Sequence, residues 1–198
     1  MVHVQFKICN EVAIKIIARK ALPRFPNFKS SVFFIIHFEA MNERHTEFMK
    51  LALDEAVKAG RKEEVPVGAV LVSETGEILS SAHNQTIDRC DPTAHAEILA
   101  LREGAGKISN YRLLNTTLYV TVEPCPMCMG AIIHARVSRV VFGIHDAKWG
   151  AAGSLYNFSD NERLNHRPEI IHGVCHEECR ALIQDFFYTR RNAARKNR

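Results

Sequence analysis

No apolar run in this chain is long enough to cross a bilayer. The longest, residues 32–38, is interrupted by His37 and falls far short of the about twenty residues a spanning helix needs. A disulfide framework is missing too. Two of the six cysteines form a Cys-x-x-Cys pair and the other four (Cys9, Cys90, Cys175, Cys179) show no framework spacing, so a reducing, cytoplasmic setting is expected. Internal repeats and low-complexity tracts are absent, which removes solenoids and linker-rich architectures. The N-terminal segment lacks the ordered charged start, apolar stretch and small-residue cleavage site of a secretory leader.

Bulk positive charge is also lacking where nucleic acid would need it. Of the chain's 26 basic and 22 acidic groups, six and two fall in residues 1–40, leaving 20 of each from Met41 onward. Any RNA affinity there must come from local patches. One is plain: Arg190, Arg191, Arg195, Lys196 and Arg198 crowd the C-terminal end. At 198 residues the chain can bury one proper core. Residues 1–40 are basic and acid-poor and do not read as part of it. They are expected to be an extension outside the domain, with translation starting naturally at Met41 and the domain covering 41–198. From there Phe48, Leu51, Ala52, Ala56 and Ala59 recur at helical spacing as far as Gly60.

What the chain does contain is two short clusters about thirty residues apart: His95-Ala96-Glu97 and Pro124-Cys125-Pro126-Met127-Cys128. An imidazole nitrogen and two thiolates are three zinc ligands, and three leave the fourth tetrahedral position open, as in catalytic sites. Glu97 is then spare. Two residues apart on a helix, His95 and Glu97 would point about 200° from one another, so one can ligate while the other acts on what the metal holds. A lone His-x-Glu or a lone Cys-x-x-Cys is weak evidence; the two in this order, with proline before the first cysteine, are far more specific.

The flanks predict how these clusters are held. Asp91-Pro92 reads as an N-cap followed by proline at the first helical position, with Ile98, Leu99 and Leu101 as apolar residues and Gly104 as the stop. Cys125-Pro126 reads as a second helix entry that stacks Cys125 and Cys128 on one turn, where the helix dipole favours thiolate. Strands are expected over 67–72, 77–82, 117–122 and 138–142, with a fifth over 169–172, and a last helix over 176–191. A strand, helix and strand around the cysteines imply a parallel pair. The expected fold class is α/β, a three-layer α/β/α arrangement around a mixed five-stranded sheet.

Beyond the two clusters, Asn84, Asp91-Pro92-Thr93-Ala94-His95-Ala96-Glu97, Asn110-Tyr111-Arg112-Leu113, Thr117 to Cys125, Val141-Phe142-Gly143, Asp146-Ala147-Lys148 and Gly150 to Leu155 follow one another in register. In this the chain resembles the bacterial tRNA-specific adenosine deaminases, from about Met41 to the C-terminus. The resemblance implies the cytidine-deaminase-like fold, one zinc per subunit, a homodimer, and conversion of the wobble adenosine of a tRNA anticodon stem-loop to inosine. Zinc would be held by His95, Cys125 and Cys128 and make water nucleophilic near neutral pH. Glu97 would move its proton to the ring nitrogen and then to the departing amine. Asn84 would lie in the nucleotide pocket, and Asp146 and Asn165 would face the anticodon loop. Phe186 and Phe187 read first as core residues, although Phe187, with Arg190 and Arg191 beyond it, also suits the lip of an RNA groove.

Two other readings remain at this level. One is a deaminase of the same fold acting on guanine, free cytidine or deoxycytidylate, since guanine deaminases share the Pro-Cys-Pro-Met-Cys form. The other is a non-catalytic, zinc-stabilised RNA-binding module, against which Glu97 and the missing fourth ligand speak. The run from Asp146 to Leu155 and the basic C-terminus favour tRNA.

Overall fold

The computed structural model describes residues 28–196 and, of these, the side chains of 43–193 and 195. The expectations for residues 1–27 lie outside the described residues. The chain divides between Asn42 and Glu43 into two units, and the second holds the sheet and every site residue discussed below. Helix α1 spans Phe28–Arg61. It is longer than the helix expected from Met41, because no proline or glycine interrupts residues 28–59. Met49, Ala52, Ala56 and Ala59 recur at helical spacing and are fully buried, whereas Leu51, expected on that face, is exposed.

Five strands follow: β1 Gly68–Ser73, β2 Ile78–His83, β3 Thr116–Val122, β4 Arg139–Ile144 and β5 Glu169–His172. Their order in the sheet is β2-β1-β3-β4-β5. β1 runs antiparallel to β2 and β3, while β3, β4 and β5 are parallel, so the sheet is mixed as expected. Helices α2 (Ala96–Lys107) and α3 (Pro126–His134) leave the sheet after β2 and β3, and α4 (His176–Lys196) closes the chain.

Alternation along the strands splits the apolar residues between two faces. Ala69, Leu71, Leu118, Val120, Val140 and Phe142 pack with Leu99 and Ala100 of α2 and Met129 and Ile132 of α3. Their neighbours Val70, Val72, Tyr119 and Val141 pack on the opposite side with Met49 and Ala52 of α1 and Cys179 of α4. The result is the three-layer α/β/α arrangement.

Two helix limits depart from the sequence expectation. Gly104 does not stop α2, which continues to Lys107. It lies inside the helix because a β-carbon there would collide with the Leu71 side chain of β1. Nor does α2 begin after Asp91-Pro92. Asp91 Oδ1 instead accepts from the backbone N and the hydroxyl of Thr93, at 2.8 and 2.7 Å, closing a local turn. The helix starts one turn later, with His95 as its N-cap residue.

Candidate active site

His95 has extended backbone angles, φ −72° and ψ 150°, and its side chain does not cap the helix. Asn84, from the end of β2, caps it instead, with its Oδ1 accepting the Ala96 N–H at 2.9 Å. Asn84 Nδ2 donates to the Val65 carbonyl at 3.2 Å, so the amide ties the α1–β1 connection, the end of β2 and the start of α2 together. Asn84, expected in a nucleotide pocket, is buried with one bond at each end of its amide, immediately behind the start of the helix that carries Glu97.

The second cluster is built in the same way. Cys125 is the N-cap residue of α3, with φ −72° and ψ 172°, and Pro126 is at the first helical position, where its missing N–H costs nothing. The Met129 N–H reaches the Cys125 carbonyl at 2.8 Å and closes the first turn. Both thiols therefore stand on that turn, as expected.

The two helix starts bring His95, Cys125 and Cys128 together. His95 Nδ1 lies 3.8 Å from Cys125 Sγ and 3.6 Å from Cys128 Sγ. All three donor atoms lie within 4.8 Å of one another. A tetrahedral zinc with bonds of about 2.0 Å to nitrogen and 2.3 Å to sulfur holds such donors ~3.5–3.8 Å apart, so the donor set fits that ion in chemistry and in spacing. Hydrogen bonds from Cys128 and then His95 hold the Cys125 thiol well below its ordinary range, against the effect of burial. Cys128 is pushed up by the proton it shares with Cys125 and by its own burial.

Glu97 is not in the three-ligand group among the described residues. It is only 4% exposed. Burial raises its carboxyl pKa, an effect only partly offset by its own backbone N–H and the nearby His95. A carboxyl so held keeps a proton more readily than one in water, which suits a group that accepts and returns protons.

The other expected site residues are scattered. Asp146 Oδ1 accepts the backbone N–H groups of Lys148 and Trp149 at 2.9 and 3.2 Å, so that oxygen shapes its own turn. Asn165 accepts from Arg136 Nη1 through its carbonyl at 2.6 Å and its Oδ1 at 3.0 Å. Phe187 is not a core residue: it is 42% exposed, edge-on to Phe186 with ring centres 5.4 Å apart. Arg190 donates to the Glu63 carbonyl at 2.6 Å while its side chain stays about half exposed. Arg191 is exposed and lines a shallow depression with Phe187 and Tyr188.

Two carboxylates that the sequence reading passed over brace the site. Glu64, 1% exposed, accepts the backbone N–H groups of Ile87 and Asp88 at 2.7 and 2.9 Å and the Thr86 hydroxyl at 2.9 Å. It thereby holds the loop that leads from Asn84 to His95. Glu123, next to Pro124-Cys125, accepts from Ala152 N at 2.9 Å, Ser154 N at 3.0 Å, Asp146 N at 3.1 Å, His145 Nδ1 at 2.9 Å and the Ser154 hydroxyl. A charged residue closing the apolar strand β3 was the available signal for Glu123. Glu64 had none.

Comparison with known proteins agrees with this geometry. Residues 42–144 match the cytidine and deoxycytidylate deaminase zinc-binding region. The tRNA-specific adenosine deaminase of Haemophilus influenzae is 51% identical over 150 residues, covering 76% of this chain and 87% of that protein. The enzyme of the same name from Bacillus subtilis is 47% identical over 153 residues, covering 76% and 94%. Among solved structures, one from work on A-to-I editing by tRNA:A34 deaminases at the wobble position of transfer RNA superposes with a TM-score of 0.67. It is 41% identical, over 69% of this chain and 99% of that one.

Proposed function

This chain belongs to the zinc-dependent cytidine and deoxycytidylate deaminase family, and we propose that it is a tRNA-specific adenosine deaminase that converts the wobble adenosine of an anticodon to inosine. The observation that carries the reaction is the buried Glu97 carboxyl beside a three-ligand zinc group. The substrate is supported by the two relatives named for tRNA-specific adenosine deamination, matched over most of their length.

His95, Cys125 and Cys128 hold the zinc, which when bound supplies the Lewis acidity that makes water a nucleophile near neutral pH. Glu97 accepts the proton of the attacking water at a carboxylate oxygen and delivers it to N1 of adenine. The water oxygen is then a hydroxyl on the carbon that bears the amine. Glu97 takes the hydroxyl's remaining proton and passes it to the amine, and as the C=O forms the C–N bond breaks and ammonia leaves. Asn84 holds His95 and Glu97 in register by anchoring the first N–H of α2. Glu97 lies buried, so the adenosine must leave its stack to reach it.

On α4, Phe187 and Arg191 stand four residues apart and both exposed, and they offer an aromatic face and a cation to the RNA. Asp146 and Asn165 lie on exposed loops suited to the rim of the RNA-binding surface. The functional unit is a homodimer, and the enzyme works in the cytoplasm. Among the described residues no helix is long and apolar enough to cross a membrane.

Incubation of the protein with total tRNA, followed by sequencing for inosine at the wobble position, tests the assignment. Inosine formed by the wild type and not by Glu97→Ala is the expected result. Absence of inosine with the wild-type, zinc-loaded protein would overturn it. Light scattering tests the dimer separately.

A further inference from the structure

Trp149 is the chain's single tryptophan, and it is 66% exposed. An exposed indole leaves a large apolar face in water, and on a loose loop it would carry no message. This one is firmly mounted. The Trp149 and Lys148 N–H groups donate to Asp146 Oδ1, and the Gly150 N–H donates to the Asp146 carbonyl at 2.8 Å. On one side of the indole, Asp146 N donates to Glu123 Oε2; on the other, Ala152 N and Ser154 N donate to Glu123 Oε1. Between them the Ala151 N–H reaches the Pro124 carbonyl at 2.9 Å. The turn bearing the indole is thus fastened at both ends to the two residues that precede Cys125. Leu155 and Tyr156, both about half exposed, return to the same turn through their N–H groups, which donate to the Gly150 carbonyl at 3.1 and 3.0 Å. Lys148, the chain neighbour of Trp149, adds an exposed positive charge.

We propose that Trp149 is a stacking platform for an unpaired anticodon-loop base next to the adenosine that enters the site. The proposal rests on the reading of the chain as a tRNA deaminase. Single-stranded loops are recognised by splaying their bases onto aromatic faces. An adenosine that leaves its stack to reach the zinc group also deprives its neighbour of a stacking partner, and an indole held beside the zinc-binding segment replaces that partner. Lys148 meets the adjoining phosphate. Because stacking makes little distinction between bases, Trp149 adds affinity and placement and little sequence preference.

The lone tryptophan makes the test direct. An anticodon stem-loop RNA is titrated into zinc-loaded Glu97→Ala protein with selective excitation of the indole, and the expected result is saturable quenching. In the active background, Trp149→Ala should raise KM for tRNA about tenfold and leave kcat within about twofold, with zinc content and circular dichroism unchanged. Trp149→Phe should recover most of the loss. Inosine formation by the wild type together with an unchanged KM in Trp149→Ala would remove this proposal and leave the tRNA assignment standing. Failure of the wild type to form inosine would remove both. Fluorescence that ignores RNA but shifts to the blue with protein concentration would assign the indole to a contact between copies and overturn the proposal.

Discussion

Arg190 donates from Nη2 to the backbone carbonyl of Glu63 at 2.6 Å, across 127 residues of chain, and its guanidinium carbon lies 5.1 Å from the Phe186 ring centre. The pair fastens the last helix to the segment that enters β1, next to the Glu64 carboxylate that holds the loop before His95. The two adjacent arginines therefore have different work. Arg190→Ala should cost stability, about 1 kcal/mol for one partly exposed charge-assisted hydrogen bond, read as a lower midpoint in denaturant. Arg191→Ala should leave that midpoint alone. It should lessen the slope of log affinity for tRNA against log salt by ~0.7–0.9, the signature of one lost phosphate contact. Equal effects of the two substitutions on the salt slope would contradict this division.

Zinc binding and proton transfer should separate cleanly by mutation. If Glu97 has the proposed role of moving protons and binding no metal, Glu97→Ala should keep one zinc per chain and lose turnover by several orders of magnitude. Cys125→Ala and Cys128→Ala should lose zinc, and activity and stability with it, since metal binding at a site made of two helix starts is coupled to local folding. Metal analysis beside each activity assay decides the matter. Zinc loss in Glu97→Ala equal to that in the cysteine variants would reverse the roles.

The two bracing carboxylates contribute to the acid sensitivity of the fold, beside Glu55 and Asp91, whose pKa values are also held down. Burial disfavours the charge on Glu64, but the Asp88 N–H, the Thr86 hydroxyl and the Ile87 N–H outweigh it and hold its pKa below the ordinary 4.5. Burial likewise opposes the Glu123 charge, and the Ser154 hydroxyl and N–H, His145 and the Ala152 N–H overcome it. Each folded pKa is thus depressed relative to the unfolded chain. The stabilisation is complete above about pH 4.5 and is lost as pH falls through the folded values. The contribution of these two carboxylates to unfolding free energy should be level from neutrality to about pH 5 and decline below it. It comes on top of a loss that begins near pH 6.5, because burial holds the His45 pKa below that value. Glu64→Gln and Glu123→Gln should each be ~2 kcal/mol less stable at pH 7 and show a shallower acid decline. Denaturant titrations across that range give both numbers.

The metal group was legible in the sequence because zinc accepts few residue types: a histidine, two cysteines three apart and a spare carboxylate have little else to do together. The strands are legible as short apolar, β-branched runs, because both faces of the sheet are covered: Ala69, Leu71, Leu118, Val120, Val140 and Phe142 face one layer and Val70, Val72, Tyr119 and Val141 the other. Where helices begin and end was harder to read. Asp91-Pro92 has the composition of a helix entry, yet the entry is fixed a turn later by Asn84, twelve residues before Ala96 in sequence. Gly104 looks like a stop and is instead the place where α2 meets Leu71. Glu64 and Glu123 were missed for a related reason: their partners are mostly backbone N–H groups more than twenty residues away, and a backbone N–H leaves no mark on composition or periodicity. Phe187 has the spacing of a core residue, but it lies on an apolar face that α4, late in its course, turns to solvent.

Three glycines near the site should respond differently to the same substitution. A β-carbon at Gly150 would strike the buried Glu123 carboxylate and the Asp146 carbonyl, neither of which can withdraw without breaking the bonds that hold the Trp149 turn. Gly150→Ala should therefore cost ~1–3 kcal/mol, as overpacking does, and lower activity as well. Gly153 has open space around it but a φ of +139°, so Gly153→Ala should show backbone strain alone, about 1 kcal/mol or somewhat more. Gly130 lies exposed within α3 with nothing near its missing β-carbon, and Gly130→Ala should stabilise the isolated chain by up to ~1 kcal/mol through better helix propensity. Unfolding midpoints for the three variants, measured beside inosine formation, should rise in that order, with activity lost mainly at Gly150. A Gly150→Ala protein of wild-type stability and activity would mean that Glu123 does not hold this turn.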